Sequence, residues 1–356
     1  MPSIHHLLGI LGVVASIATG PIIGPASVQT RPPPLSHSIS APAPISRQVS
    51  SPASTQVSGP VATLPGREAD GRVEQIAFRL ATAGAAHCPA LEPDLGLVLQ
   101  HLSQFELADR QGMIAQQSLD RGPGVIAVVP GGPAASAGMR PGDVLLEIDG
   151  RRIPPETALA APFDATRAHA RADAVRDLLS HTKDAPFAIS LLRNGTVSTV
   201  TVTPRLACPS YVHLARSDQR NAYADGRHVF TTTGLVSTVR NDNELAFIIA
   251  HEMSHNILHH AVVMRGGAVT RGIGRTLGRS GRIVRETERE ADALGGTLML
   301  DAGFDPVRGA AILGRLGGGD LGIEIFAAHD SAGHRVAAMR ALIEARRALV
   351  AARQPR

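Results

Sequence analysis

His251-Glu252-Met253-Ser254-His255 continues the apolar run Glu244-Leu-Ala-Phe-Ile-Ile-Ala250 without a break, and no other feature of the chain constrains its fold and chemistry as tightly. The run reads as a helix passing through the pentad, and helical residues four apart share a face. Both imidazoles can then reach one metal ion, while Glu252, one position past His251, can address a water on that ion. The pattern points to zinc-assisted hydrolysis.

A hydrolytic zinc site keeps three protein ligands and leaves one position open. Glu286-Thr-Glu-Arg-Glu-Ala-Asp292 offers the third ligand, because Glu288 and Asp292 lie four apart on one helical face, whereas Glu290 has Leu294 at that offset. The expectation is one Zn2+ per chain held by His251, His255 and Glu288, with Glu252 as general base. Asp292 then accepts the other ring N–H of a ligating histidine and fixes its tautomer. His259 continues the same face, but eight residues of helix span about 12 Å, too far for one ion. His260 and the remaining histidines read as surface residues.

Around these residues stand Asn221-Ala-Tyr-Ala-Asp-Gly-Arg-His-Val-Phe-Thr-Thr-Thr-Gly-Leu235, Asn243-Glu-Leu-Ala246 and Ala302-Gly-Phe-Asp-Pro306. Together with the pentad and Glu288-x-x-x-Asp292 they resemble the HtpX, BepA and CAAX-prenyl-endopeptidase group of zinc metallopeptidases, over roughly Tyr211 to Ala345. The resemblance implies a mainly helical, zincin-like endopeptidase domain with a small sheet whose edge strand, around Asn221, Ala222 and Tyr223, holds extended substrate. Family members carry a His-Pro near the C-terminal end that gates or completes the site. This chain has His329-Asp330 there, followed by Arg335, so the resemblance implies a catalytic role for His329. The chain lacks the multiple spanning helices of the membrane branches and is more similar to the soluble members.

Upstream, Val125–Val129, Val144–Ile148, Phe187–Leu192 and Val197–Val202 have strand composition, with Arg193-Asn194-Gly195 as a hairpin turn between the last two. Ser136–Met139 and Ala165–Leu179 read as helices, and amphipathic segments precede the strands near Arg72–Ala83 and Leu95–Leu107. Gly132-Pro-Ala-Ala-Ser-Ala-Gly-Met-Arg-Pro-Gly-Asp143 followed by Ile148-Asp-Gly150 resembles a PDZ domain of the bacterial protease-associated type, over about Gln111 to Pro204. Such a domain binds an extended peptide as an added strand and captures its terminal carboxylate on loop N–H groups. By position the resemblance places that loop at Gln111-Gly112-Met113-Ile114, with Gly112, Met113 and Ile114 as peptide-binding residues. The alternative is a spacer or lid with no ligand of its own.

Leu7–Ile23 is apolar and ends in small residues, the pattern of an export leader, or of an anchor if retained. Pro25–Pro65, rich in Pro, Ser, Ala and Thr, lacks the apolar groups to offset the entropy of ordering and reads as a tether. Cys88 and Cys208 flank the central module; in an oxidising compartment they form a disulfide, and otherwise they are two buried thiols. The formal charge of +4 and pI near 9.8 come from scattered arginines with Lys183 as the only lysine, and the chain is 3% aromatic with no Trp. That composition argues against nucleic acid. The Gly/Arg-rich stretch Arg265–Arg285 reads as a loop over the cleft whose arginines could meet anionic lipid or acidic substrate.

The expected fold class is α+β. The expected domains are a leader or anchor over 1–24, a linker over 25–66, a helical N-terminal part of the peptidase over 67–110, a PDZ domain over 111–205 and a zinc metallopeptidase domain over 206–350. The leading reading is an exported endopeptidase of the periplasm or cell envelope, acting on misfolded or exposed proteins, with C-termini presented at the PDZ domain. A second reading is a chaperone-like peptide-binding protein with a closed or weakly active metal site. The set His251, Glu252, His255 and Glu288 favours the enzyme, since a pure binder has no use for the base.

Overall fold

The computed structural model describes residues 59–156, 165–209, 211–266, 269, 278–316 and 330–353. The expected leader, most of the expected linker and His329 lie outside them. In chain order the elements are β1 (Ala62–Thr63), α1 (Glu68–Ala83), β2 (Glu92–Asp94), β3 (Leu97–Gln100), α2 (Leu107–Gln117), β4 (Gly124–Val128), α3 (Pro133–Ser136), β5 (Val144–Ile148), β6 (Arg151–Arg152), α4 (Ala165–Ser180), β7 (Phe187–Arg193) and β8 (Thr196–Val202). Then come β9 (Arg205–Ala207), β10 (Tyr211–Ala215), β11 (Ala222–Ala224), β12 (His228–Thr232), α5 (Thr233–Val236), α6 (Asp242–Ile257), α7 (His260–Arg265), α8 (Gly278–Asp301), α9 (Pro306–Ala310) and α10 (Ala332–Arg353). The fold is α+β. No helix among the described residues is long and apolar enough to cross a membrane.

The central sheet runs β1-β4-β5-β7-β8, with β3 on β4 and β6 on β5, all antiparallel. Along β7, Phe187, Ile189 and Leu191 are buried while Ala188 is exposed, the period of two that places one face on a core. Val175 and Leu179 of α4 close that core from the other side. The β7–β8 turn needs positive φ at both central residues, and Asn194 (50°) and Gly195 (77°) supply it.

Two expectations for this region are corrected. The part expected to be helical over 67–110 is interrupted between α1 and α2: Gly96 takes a φ of +66°, Leu97 to Gln100 pair with β4, and only a short 3-10 turn follows at Leu102–Gln104. Gln111-Gly112-Met113-Ile114 forms no loop but lies inside α2, where the helix's own hydrogen bonds occupy its N–H groups. The short Gly-containing loop that leads into an edge strand is Leu95-Gly96-Leu97.

The second core gathers around α6, with Leu245, Ile249, Ala250 and Met253 inaccessible to solvent and α1, α8 and α9 packed against it. Asn241 starts α6 by accepting from the N–H groups of Asn243 (3.0 Å) and Glu244 (3.2 Å), a cap worth about 1 kcal/mol. Beside it lies a three-stranded sheet ordered β10-β12-β11, β10 parallel and β11 antiparallel to β12. A Cys88–Cys208 disulfide with Cα atoms 5.6 Å apart joins the chain before the central sheet to the chain after it. The stretch expected as a loop over 265–285 is helical from Gly278 onward.

The two halves meet through α4. Arg227 pairs with Asp177 (2.9 Å) and Asp173 (3.5 Å), His228 Nε2 lies 3.3 Å from Asp173, and the Arg176 guanidinium sits 3.7 Å over the Tyr211 ring. These contacts clamp α4 onto the β11–β12 hairpin.

Candidate metal centre and peptide clefts

The metal centre is set by how closely α8 can approach α6. A Cβ at Gly295 would lie 3.1 Å from the Ala250 carbonyl carbon and the His251 nitrogen, a tight fit that would push the two helices apart by a few tenths of an ångström, so glycine favours the close approach. Two turns back along α8 from that contact, Glu288 reaches the histidines. His251 Nε2, His255 Nε2 and Glu288 Oε2 are then 3.2, 3.2 and 3.4 Å from one another. Tetrahedral zinc with bonds of about 2.0–2.1 Å has an edge of about 3.3–3.4 Å, so these three donors fit one ion. They form the one His/Cys/Asp/Glu group of that kind among the described residues.

Charge is arranged to match. Burial works against a charged His251, but its hydrogen bonds to Asp292 and Glu288 prevail and raise it to about 10. Burial likewise opposes ionisation of Glu288, yet the two imidazoles hold its carboxyl well below the usual carboxylate range. Asp292 also overcomes its burial and is held low by His251 and Arg335. The carboxylates of Glu288 and Asp292 thus stabilise positive charge on His251.

His251 Nδ1 lies 3.0 Å from Asp292 Oδ1, and Arg335 from α10 grips that carboxylate with both Nε (2.7 Å) and Nη2 (2.5 Å). Asp292 therefore stands behind the histidine, away from the convergence point. His260, read from sequence as a surface residue, is only 3% exposed; its Nδ1 is 2.9 Å from His255 Nδ1 and its Nε2 is 3.1 Å from Glu290. Asn256, also unforeseen, accepts from Gly226 N (2.8 Å) and donates to the His228 carbonyl (3.1 Å), pinning the β11–β12 hairpin to the helix that carries both histidines. An Asn immediately after the pentad was the available signal. His329 lies outside the described residues.

Glu252, 7% exposed, lines a cleft of about 440 Å³ with His251, His255, Glu288 and Tyr223. Ala222 and Tyr223 lie on β11, the sheet's edge strand along this cleft, and Asn221 precedes it. Ala222 is buried and Tyr223 is 45% exposed.

A second groove of about 70 Å³ runs between β3 and α4, lined by Leu97, Val98, Leu99, Val175, Arg176 and Leu179, with His213 of β10 at its border. At its loop end the Gly96 N–H is held by Asp94 Oδ1 at 2.8 Å. Gly112, Met113 and Ile114 take no part in it.

Residues 200–272 match the model of Peptidase family M48, and residues 124–161 match that of the PDZ domain. The first match ends before Glu288 and Asp292, which the fold itself brings to the histidines. Over 67 residues the chain is 45% identical to the Magnetosome formation protease MamE of Magnetospirillum gryphiswaldense, covering 19% of this chain and 8% of that protein. Among solved structures, it is similar to the HtrA-type protease AlgW with a decapeptide (24% identity, TM-score 0.23, 33% of this chain and 30% of that one). The same protease with a tripeptide matches at 27% identity and a TM-score of 0.22, over 33% of this chain and 32% of that one. The chain thus spans less than a third of those structures and less than a tenth of MamE. An M48-type metallopeptidase segment and a PDZ domain are combined in one chain.

Proposed function

We propose that this combination is a zinc-dependent endopeptidase acting on unfolded or exposed polypeptides, exported to the periplasm or cell envelope, with the PDZ domain engaging substrate. The observation that carries the reading is the triangle of His251 Nε2, His255 Nε2 and Glu288 Oε2, whose edges match those of a tetrahedral zinc site and whose residues line one cleft with Glu252. Zinc bound there supplies a Lewis acid for the scissile carbonyl and for the attacking water. The rest falls to the chain. β11 offers its free edge to an extended substrate and so aligns the scissile bond along the cleft. The Glu252 carboxylate takes the proton of the attacking water and returns it to the leaving amine. Asp292 and Arg335 keep His251 Nδ1 protonated, so that Nε2 remains the ligating nitrogen. The Cys88–Cys208 bridge suits an oxidising compartment, and the apolar stretch Leu7–Ile23 suits export.

The test is hydrolysis of an unfolded protein by the full chain. Activity should be lost to a chelator and restored by adding zinc. Chelator-resistant hydrolysis, or none with zinc bound, would overturn the reading.

A further inference from the structure

We infer that a single extended polypeptide occupies the PDZ groove and the metal cleft together, crossing between them over the row His213–Phe230–Tyr223. The inference rests on the endopeptidase reading and adds to it how substrate is held.

The row follows from strand register. His213 on β10 is the partner of Phe230 on β12, and Phe230 is the partner of Tyr223 on β11, so the three side chains stand side by side on one face of the sheet. Their rings stack in sequence, His213 on Phe230 at 5.1 Å and 22°, Phe230 on Tyr223 at 4.9 Å and 25°. One end of the row borders the PDZ groove, which His213 lines together with Leu97 and Val175. The other end is Tyr223, which lines the metal cleft beside His251 and Glu252. Between them lies a pocket of about 600 Å³ lined by Val98, Phe105, Leu214 and Phe230, with the charged Asp70 and Arg216 also on it.

The occupant is an unfolded polypeptide with apolar side chains. The three stacked rings present a row of edges, with Tyr223 the exposed member, and rigid rings give apolar contact at little entropic cost without demanding a particular residue. The two ends of the track are strand edges: among the described strands β3 pairs only with β4, and β11 only with β12, so each can accept a further strand from a backbone of any sequence. With the Gly96 N–H already taken by Asp94, the groove offers its β3 edge to a segment within a chain. The clamp of Asp173 and Asp177 on Arg227 and His228 holds the two ends at a fixed separation. Crossing from β10 to β11 is about 10 Å, or roughly three extended residues. Adding the four positions of β3 and the approach to Glu252, a substrate must span on the order of ten residues to engage both ends.

The test uses the full-length Glu252→Gln protein with photo-crosslinking residues at the exposed positions Gln104, shared by the groove and the pocket, and Tyr223, with Val197 on β8 as a control. The probe is reduced, alkylated β-casein, with synthetic six-residue and sixteen-residue fragments of it. One casein molecule crosslinked at both Gln104 and Tyr223, the sixteen-residue fragment doing the same, the six-residue fragment linking at one position only, and Val197 silent, is the expected result. Crosslinks at Tyr223 with none at Gln104, two separate molecules on the two positions, or none at either would overturn the track. Hydrolysis by the wild type is scored separately. Double crosslinking with no wild-type cleavage would sink the endopeptidase reading and leave the track standing, whereas cleavage without double crosslinking would do the reverse.

Discussion

Nδ1 of His255 lies 2.9 Å from Nδ1 of His260, and His260 Nε2 lies 3.1 Å from Glu290 Oε2. With zinc on its Nε2, His255 would carry its proton on Nδ1 and donate to His260, which would donate in turn from Nε2 to Glu290. Each histidine of the proposed zinc site thus has a carboxylate behind it, His251 directly through Asp292 and His255 through His260 and Glu290. Losing such support costs roughly 10–100-fold in metal affinity. His260→Ala should weaken zinc binding by that amount in competition with a chelating dye. Glu290→Gln should have a smaller effect, because its side chain is 55% exposed. Unchanged affinity in His260→Ala would show the contact to be incidental.

Arg335 and Asp292 form a two-pronged ion pair with side chains 7% and 9% exposed. Removing one member of a buried pair strands the other charge, at a cost of about 3–5 kcal/mol. Arg335→Ala should lower the unfolding midpoint accordingly. Arg335→Lys should rescue it poorly, because an ammonium cannot grip both oxygens. Full rescue by lysine in urea unfolding would contradict the two-pronged role.

Glu74 is raised from 4.5 to about 8, first by burial and then by Asp94, against the pull of Arg176. Between those values the folded protein keeps a proton that the unfolded chain has released, so stability falls as pH rises from about 4.5 to about 8. Glu74→Gln removes this dependence and should stabilise the protein at pH 8 by on the order of a few kcal/mol, with little effect at pH 5. Equal effects at the two pH values in denaturant unfolding would contradict the assignment.

The Cys88–Cys208 bridge closes a separation of 120 residues, for which chain entropy allows roughly 5 kcal/mol. Paired Cys88→Ser and Cys208→Ser substitutions should lower the denaturant midpoint markedly without changing zinc stoichiometry, since neither cysteine lies in the metal cleft. Loss of zinc from the folded variant would tie the bridge to the site.

How far the sequence could be read depended on periodicity. The geometry of His251, His255, Glu288 and Asp292 was legible because each pair lies four apart on a helix, where spacing dictates direction. His260 was not, because α6 ends at Ile257 and His259 takes a left-handed φ of 56°, turning the next residue back toward His255 where a continued helix would carry it away. The groove loop was misplaced for a related reason. Leu95 to Leu107 is apolar at spacings that suit a helix or a strand, and only the Gly96 turn and the pairing of Leu97–Gln100 with distant β4 decide between them. The row His213–Phe230–Tyr223 was beyond sequence reasoning, because it depends on the register of three strands.

The most direct measurement compares bound zinc and turnover in the wild type and in Glu252→Gln. Glu252 lines the cleft but is not one of the three converging donors, so the substitution should leave one zinc per chain while abolishing hydrolysis of an unfolded protein. Zinc lost along with activity would make Glu252 part of the metal cage, and hydrolysis retained by Glu252→Gln would contradict its role as the base.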